Sequence, residues 1–184
     1  MLSREEALML LKQNVKRRNI FYHMLAVEAI MRSLANYFKE DEELWGLTGL
    51  LHDIDFEKTE NNPQLHGLEA EKILGDLVPG EIIEAIKAHN FTYTNFQPKT
   101  RMEKALIASD AVSGLIVACA LVMPNKKLEE VKVSTIEKKF KQKDFARNID
   151  RNRILVCEEI GLSKEKFFEI ALEGLKRIAA SLGL

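Results

Sequence analysis

The sequence predicts an all-α fold. Hydrophobic residues make up 46% and charged residues 30% of the 184 positions, the balance of a folded globular protein. Only four prolines and nine glycines are present, too few for an architecture built from strands and tight turns. Apolar residues recur at helical spacing in most segments, and the length suits one domain over 1–184.

The N-terminal part predicts two helices. Ser3 followed by Glu6 forms a capping-box pattern, which opens a helix that runs to about Lys16. A second helix is expected over 20–38. Its apolar stripe includes His23, so this imidazole faces the interior. An isolated inward histidine is more often a core residue than a metal ligand, so its role stays open at this point.

The third helix ends in an unusual stretch. Asp41 is its predicted N-cap, and its apolar run stops abruptly at His52 and Asp53. Gly46 and Gly49 weaken a helix interior, so we expect them to permit close approach of another backbone. A buried imidazole and carboxylate need compensation, which either a divalent cation or a plain His–Asp hydrogen bond supplies.

The middle of the chain places two more histidines at helix ends. After a polar connection over 55–63, a helix is predicted from Pro63, with His66 in its first turn. Another is expected from Pro79 to about His89. For both histidines a structural role remains the competing interpretation. The loop that follows, 92–100, is rich in Thr, Tyr, Phe and Asn and either lines a pocket or covers the core.

The longest helical pattern spans 101–123 and carries Asp110 on its apolar stripe. Charged groups are almost never buried without a partner, so Asp110 needs a cation or a donor. A basic segment follows over 125–153, which is either a solvated face or a source of cations for an anionic substrate. Gly161 and Ser163 then mark a helix end and a new N-cap before a last helix over 164–182.

Charge and cysteine usage exclude several classes. The net charge of −1 gives no general electrostatic reason to bind nucleic acid. Cys119 and Cys157 show no metal or redox spacing and suit a reduced cytoplasmic interior. The charged N-terminus does not resemble a signal peptide, and the longest apolar stretch, 115–123, is too short to span a bilayer. We expect a cytoplasmic protein without a membrane partner.

The candidate ligands form an ordered series. All four histidines fall in the first half of the chain, and each lies near the inner face or the end of a predicted helix. Together with two carboxylates they make the series His23, His52, Asp53, His66, His89 and Asp110. Mixed nitrogen and oxygen donors suit Fe, Mn, Co, Ni or Zn better than Ca or Mg.

This series resembles the His…His-Asp…Asp pattern of the HD-domain metal-dependent phosphohydrolases. The surroundings of His66 and His89 resemble the extra-histidine version found in dinuclear members, such as the HD-GYP phosphodiesterases and the symmetric dinucleoside tetraphosphate hydrolases. The resemblance covers about 20–114, with a C-terminal helical extension over about 125–184. It departs from many relatives at Asp55, where they carry glycine, and the HD-GYP triplet is not seen, which argues against cyclic-di-GMP.

The resemblance implies a compact HD-domain-like helical bundle that binds one or two divalent transition-metal ions. His23, His52, Asp53 and Asp110 would form the basic site, and His66 and His89 would complete a second position with Asp53 bridging. Asp53 and Asp55 become candidate catalytic residues. The candidate phosphate ligands are Lys58, Arg147 and Arg151.

The implied activity is hydrolysis of a phosphate mono- or diester, with a nucleotide as the expected substrate, through a metal-activated water. Two alternatives stay open: an inactive metal-binding regulatory or scaffold domain, and a dinuclear iron oxygenase on the same fold. The charged tail packs on its own core or on a partner subunit, so a homodimer is also open.

Overall fold

A computed structural model describes residues 2–184, and in that range the regular structure is helical, with no strand. The α-helices are α1 (Arg4–Asn14), α2 (Arg18–Phe38), α3 (Glu42–Leu51), α4 (Phe56–Thr59), α5 (Leu68–Leu74), α6 (Gly80–His89), α7 (Phe91–Thr94), α8 (Arg101–Leu121), α9 (Val133–Lys141), α10 (Arg151–Leu155), α11 (Lys164–Arg177) and α12 (Ala179–Leu182). Short 3₁₀ turns occupy Pro63–Leu65, Gly75–Leu77, Leu128–Glu130 and Val156–Ile160. The prediction of an all-α fold is confirmed.

Helices α2 and α3 pack closely because α3 presents glycine to α2. A Cβ on Gly49 would lie 2.9 Å from both the backbone nitrogen of Glu28 and the carbonyl oxygen of Val27. The chain reverses between the two helices at Lys39, which adopts φ 59°, and Asp41 then caps α3 through the backbone N–H of Leu44. Close approach of a backbone, predicted for Gly46 and Gly49, occurs at Gly49 and brings the middle of α2 beside the end of α3, whereas Gly46 faces the side chain of Arg32.

The buried apolar residues form two clusters that meet along α2. The larger cluster joins α2 and α8 to the C-terminal helices α9, α10 and α11. The smaller cluster joins α1, α3, α5 and α6 to the first turns of α2. Residues beyond 125 therefore contribute to the main core, with Phe167 and Phe168 among the largest fully buried side chains.

Helix α8 runs through the larger cluster. A capping box between Thr100 and Glu103 starts it. By length and composition α8 alone, among the described residues, could cross a membrane, but 67% of its most apolar stretch is buried inside the protein. Burial in the protein core therefore explains why α8 is so apolar.

The predicted elements differ from the observed ones at several ends. The polar connection after Asp55 contains the short helix α4, and the loop after His89 begins with α7. The prediction for His66 was wrong in detail, because a 3₁₀ turn ends at Leu65 and α5 begins only at Leu68. The last predicted helix is interrupted at Ile178, which separates α11 from α12.

Candidate metal centre

The structure brings together the six side chains singled out in the sequence. His23 lies in the first half of α2, and His52 and Asp53 follow the end of α3. His66 lies in the turn before α5, His89 is the last residue of α6, and Asp110 lies in the middle of α8. His52, Asp53 and His89 are buried, and the other three are largely buried. The helices that carry these residues converge on one small polar centre.

Asp53 lies at the middle of this centre. Its Oδ1 is 3.2 Å from Nε2 of His66, 3.5 Å from Nε2 of His52 and 3.5 Å from Nε2 of His89. Its Oδ2 is 3.7 Å from Nε2 of His23. The two carboxylate oxygens thus face different histidines, as a carboxylate that bridges two positions requires.

Asp110 closes the other side of the centre. Its Oδ1 lies 3.1 Å from Nε2 of His23 and 3.9 Å from Nε2 of His52. Two sets of three residues could each hold an ion with ligand atoms within 4.8 Å of one another: His23, His52 and Asp110, and His52, Asp53 and His89. The geometry is therefore compatible with two adjacent metal positions.

Two of the rings are oriented by the helices that carry them. The Nδ1–H of His52 donates to the carbonyl oxygen of Gly49 at 2.8 Å, and the Nδ1–H of His89 donates to the carbonyl oxygen of Ile86. Each bond spans three residues at a helix end. Because Nδ1 carries the proton, the Nε2 lone pair of each neutral ring points into the centre.

The other two rings are oriented by side chains. The Nδ1–H of His66 donates to Oδ1 of Asp55 at 2.9 Å. Nδ1 of His23 lies 3.2 Å from Oγ of Ser113, whose own proton is donated to the backbone carbonyl of Asp110, so the ring donates to the hydroxyl. All four imidazoles thus direct Nε2 inward and fix Nδ1 by an outer hydrogen bond, the usual arrangement around protein-bound metals.

The electrostatics reflect the crowding of these groups. Burial lowers the pKa of His52 to about 4, which keeps this ring neutral and able to act as a ligand. Burial also opposes the charge on His66, but its contacts with Asp53 and Asp55 outweigh that effect and raise its pKa to about 10. Burial disfavours the charge on Asp53, yet the surrounding histidines hold the pKa of Asp53 well below its usual range.

The donor set fits a transition-metal ion. Imidazole nitrogens and carboxylate oxygens suit Fe, Mn, Co, Ni and Zn, and the outer hydrogen bonds already orient the rings. Two carboxylates held in their charged form add the negative charge that a divalent ion neutralises. The cofactor prediction is supported at this level, whereas the identity and number of the ions stay predictions.

The candidate catalytic residue Asp55 does not face the centre. Its carboxylate is fully buried, and Oδ2 accepts hydrogen bonds from the backbone N–H groups of Gly67 and Ala70, while Oδ1 holds His66. Both oxygens are therefore engaged on the outer side of the His66 ring. Asp55 is placed to position His66 rather than to contact a substrate.

In the described part of the chain, the three predicted phosphate ligands make no polar contact with the residues of the centre. Lys58 is exposed and pairs with Glu69 at 2.6 Å. Arg147 is exposed and, within the described chain, makes no polar contact with the cluster. Arg151 directs its guanidinium to backbone carbonyls of the 140–149 segment, including those of Ala146 and Ile149 at 2.8 and 2.9 Å.

Arg153 is the cation that the structure brings to the cluster. Its Nη2 lies 3.2 Å from Oδ2 of Asp110 and 2.7 Å from the carbonyl oxygen of His89, and its side chain is 22% exposed. Sequence reasoning noted Arg153 within the basic segment but chose Arg147 and Arg151. Helix α10 has only five residues, too few for a periodic pattern to tell which basic side chain faces inward.

The HD-domain family model matches residues 20–123 of the chain. This is more than half of the sequence and includes all six residues of the cluster. The chain belongs to the HD domain family. Neither curated proteins nor solved structures give a match. The predicted resemblance is confirmed, and Arg153 lies outside the matched range, in the C-terminal extension.

Proposed function

We propose that this HD-domain protein is a metal-dependent phosphohydrolase that cleaves a phosphate mono- or diester. The observation that carries the proposal is the convergence of four imidazole Nε2 atoms and two carboxylates on one centre, with the guanidinium of Arg153 at its partly exposed edge. A phosphate ester carries its negative charge on more than one oxygen, so bound metal ions and a guanidinium could contact it together.

His23, His52 and Asp110 would hold one ion, and His66 and His89 would complete a second position, with Asp53 shared between them. When bound, such ions lower the pKa of a coordinated water and neutralise charge on the phosphoryl group. The protein itself would orient the ligands. The outer hydrogen bonds of the imidazoles fix the ring orientations, and Asp55 provides that hydrogen bond for His66.

Arg153 is the residue that we assign to the phosphate, in place of Lys58, Arg147 and Arg151. Among the described residues, only its Nη2 donates hydrogen bonds, to Asp110 and to the carbonyl of His89, while the guanidinium carbon lies 5.8 Å from the centre of the Phe91 ring. The Nε and Nη1 donors are left for a substrate oxygen at the same edge. A planar guanidinium matches two phosphate oxygens, so it would orient the ester as well as attract it.

The two alternatives make different predictions. A metal-binding regulatory or scaffold domain would bind ions without turnover of any phosphoester. A dinuclear iron oxygenase would consume oxygen when the reduced protein is supplied with a polyol or a phosphonate. Arg153 favours the phosphohydrolase over the scaffold, because a scaffold has no use for guanidinium donors left over beside its metal ligands.

Two measurements test the proposal. The first is elemental analysis of protein purified anaerobically, without chelator or affinity tag. The second is hydrolysis of a generic aryl phosphate in the presence of added Mn²⁺ or Co²⁺. We expect close to two transition-metal ions per chain and metal-dependent release of phosphate. Metal uptake without hydrolysis would favour the scaffold. Failure to bind any transition metal on titration would remove the proposal.

The proposed setting is the cytoplasm, where Cys119 and Cys157 would stay reduced as buried free thiols. Burial raises the pKa of the Cys119 thiol to about 11 and that of Cys157 to about 12, so neither is a reactive nucleophile. A nucleotide remains the substrate predicted from the resemblance, and a homodimer remains open.

A further inference from the structure

A groove of about 280 Å³ lies between α2 and α8, directly beside the metal centre, and His23 is part of its wall. We infer that this groove binds the organic part of the phosphoester and that this part is an extended apolar chain, so that the substrate is a monoester of an aliphatic or prenyl alcohol rather than a nucleotide. The inference rests on the proposed function, since it assigns the substrate of the same centre.

The groove begins at the centre and leads away from it. Its floor follows one face of α8: Ser113 and Gly114 lie one turn beyond Asp110, Val117 lies two turns beyond it, and Leu121 lies three. At about 1.5 Å per helical residue, Ser113 to Leu121 spans about 12 Å. A phosphate bound to the ion that His23 and Asp110 would hold would therefore place its ester chain along this floor.

The walls of the groove are apolar. Ala26 and the ring of Tyr22 come from α2, and Leu182 and Leu184 come from the C-terminal segment. Leu121 at the far end is 50% exposed, although the rest of α8 is largely buried in the core. Covering this apolar surface with a hydrocarbon chain removes it from water, which is favourable in proportion to the area.

The polar groups of the groove are mostly engaged by the protein. Oγ of Ser113 donates to the Asp110 carbonyl and lies against the His23 ring, and the Tyr22 hydroxyl accepts from Nε of Arg18 at 2.7 Å. Among the polar side chains of the described lining other than His23, this leaves the amide of Asn19 at the exposed mouth. A nucleobase would exchange most of its hydrogen bonds to water for apolar contacts here, whereas an alkyl chain has none to lose.

The test uses the metal-loaded full-length protein and a series of methyl, butyl and octyl phosphate, with adenosine monophosphate as the nucleotide. We expect kcat/KM to rise by about fourfold for each methylene that enters the groove, the ratio that corresponds to the transfer free energy of one buried methylene group. The octyl ester should then exceed the nucleotide.

Two substitutions of valine by glutamine test whether the dependence of kcat/KM on chain length arises in the groove. Val117→Gln places an amide in the floor of the groove and should flatten the dependence on chain length. Val122→Gln makes the same change at a 52% exposed position outside the lining and should leave that dependence as in the native protein. Metal content and helical circular dichroism check that both variants are folded.

The outcomes separate this inference from the proposed function. Hydrolysis of all esters with no dependence on chain length would overturn the groove assignment and leave the phosphohydrolase intact. If no ester is cleaved, calorimetric binding of octylphosphonate against methylphosphonate still decides: equal affinities overturn the assignment. A dimer that Val117→Gln dissociates, with the chain-length dependence unchanged, would show that a second copy covers the groove and would also overturn it.

Discussion

Oδ1 of Asp55 lies 2.9 Å from Nδ1 of His66, and this contact turns Nε2 of the His66 ring toward Asp53, 3.2 Å away. The same buried carboxylate accepts two backbone N–H groups through Oδ2. Asp55 thus connects the start of α5 to the centre through its hydrogen bonds to His66, Gly67 and Ala70. Asp55 therefore positions the candidate ligand His66.

Asp55→Asn should weaken the metal position that includes His66. An amide has one acceptor oxygen, so it cannot serve both His66 and the backbone donors without turning its NH₂ toward one of them. We expect a loss of roughly tenfold to hundredfold in the affinity for one ion, the usual effect of removing an outer hydrogen bond to a ligand.

Calorimetric metal titration measures this change, and Asp76→Asn, at an exposed position, is the matched control. Unchanged affinity for both ions in Asp55→Asn would contradict the positioning role.

Removal of individual ligands should separate the two metal positions. His52→Ala and Asp110→Ala should each strip the metal and abolish hydrolysis while helicity is largely kept. His66→Ala or His89→Ala should remove one ion but not both. The measurement is elemental analysis together with circular dichroism. Normal metal content in both of the first two variants would refute the assignment of the site.

Arg153→Gln should raise KM for a phosphoester by about tenfold to hundredfold, because a charge-assisted hydrogen bond to phosphate is lost. Metal content should stay unchanged, which a purely structural role in holding Asp110 would not predict. Steady-state kinetics on the same metal-loaded preparations provides the comparison.

Two neighbouring arginines serve as controls for Arg153. Arg147→Gln, at an exposed position, should change neither KM nor stability. Arg151→Gln should lower the melting temperature without raising KM, because its guanidinium holds backbone carbonyls of the 140–149 segment. An unchanged KM in Arg153→Gln would contradict the assignment and show that another residue contacts the phosphate.

Gly49→Ala should destabilise the protein by about 1–3 kcal/mol, the typical cost of overpacking. The new methyl group would meet backbone atoms of Val27 and Glu28 at 2.9 Å, and backbone cannot move aside as a flexible side chain does. Separation of α2 from α3 would also pull His23 from His52, whose Nε2 atoms are 3.3 Å apart, so metal affinity should fall with stability.

Urea unfolding and metal titration measure both effects of Gly49→Ala. Gly80→Ala is the control, since a Cβ there meets nothing within 4 Å. Equal stability of the two variants would show that the helices do not depend on this contact.

The metal-free protein should be most stable near pH 6.5 and lose stability on both sides. The pKa of His66 is raised from 6.5 to about 10, so between these values the folded state holds a proton that the unfolded state has released, and stability falls as the pH rises. The pKa of His52 is lowered from 6.5 to about 4, so stability also falls as the pH drops through that window.

Urea unfolding over pH 4 to 10 in the presence of a chelator tests this profile. His66→Gln should remove much of the alkaline decline and keep the acid one, since each pKa unit corresponds to about 1.4 kcal/mol. A flat profile above pH 6.5 in the native sequence would contradict the assignment.

The sequence predicted the helices and the side chains that cluster at the centre, because both depend on local chemistry, whereas their role as ligands stays a prediction. Caps such as Ser3 with Glu6, Asp41, and Gly161 before Ser163 are short-range signals, and the structure has each of them. Asp110 was recognisable because a carboxylate on an apolar stripe needs a partner. Its contacts with His23 and Arg153 supply that partner.

What could not be predicted depends on how distant segments dock. His66 was placed inside a helix, yet Gly67 adopts φ 90° and delays the start of α5. This glycine was the available signal. Arg151 and Arg153 are equivalent in sequence terms, and only the docking of α10 against α8 directs one to a loop and the other to the centre. The groove beside His23 likewise arises from three separate segments.

The rings of His52 and His89 are fixed by carbonyls three residues back on their own helices, at Gly49 and Ile86. The orientation of both rings is therefore fixed as soon as α3 and α6 form, before an ion binds. We expect a site prepared in this way to bind an ion without local refolding. Because the selection of a divalent metal depends on its availability as well as on its affinity, we expect the ion in purified material to change with the supply in the growth medium.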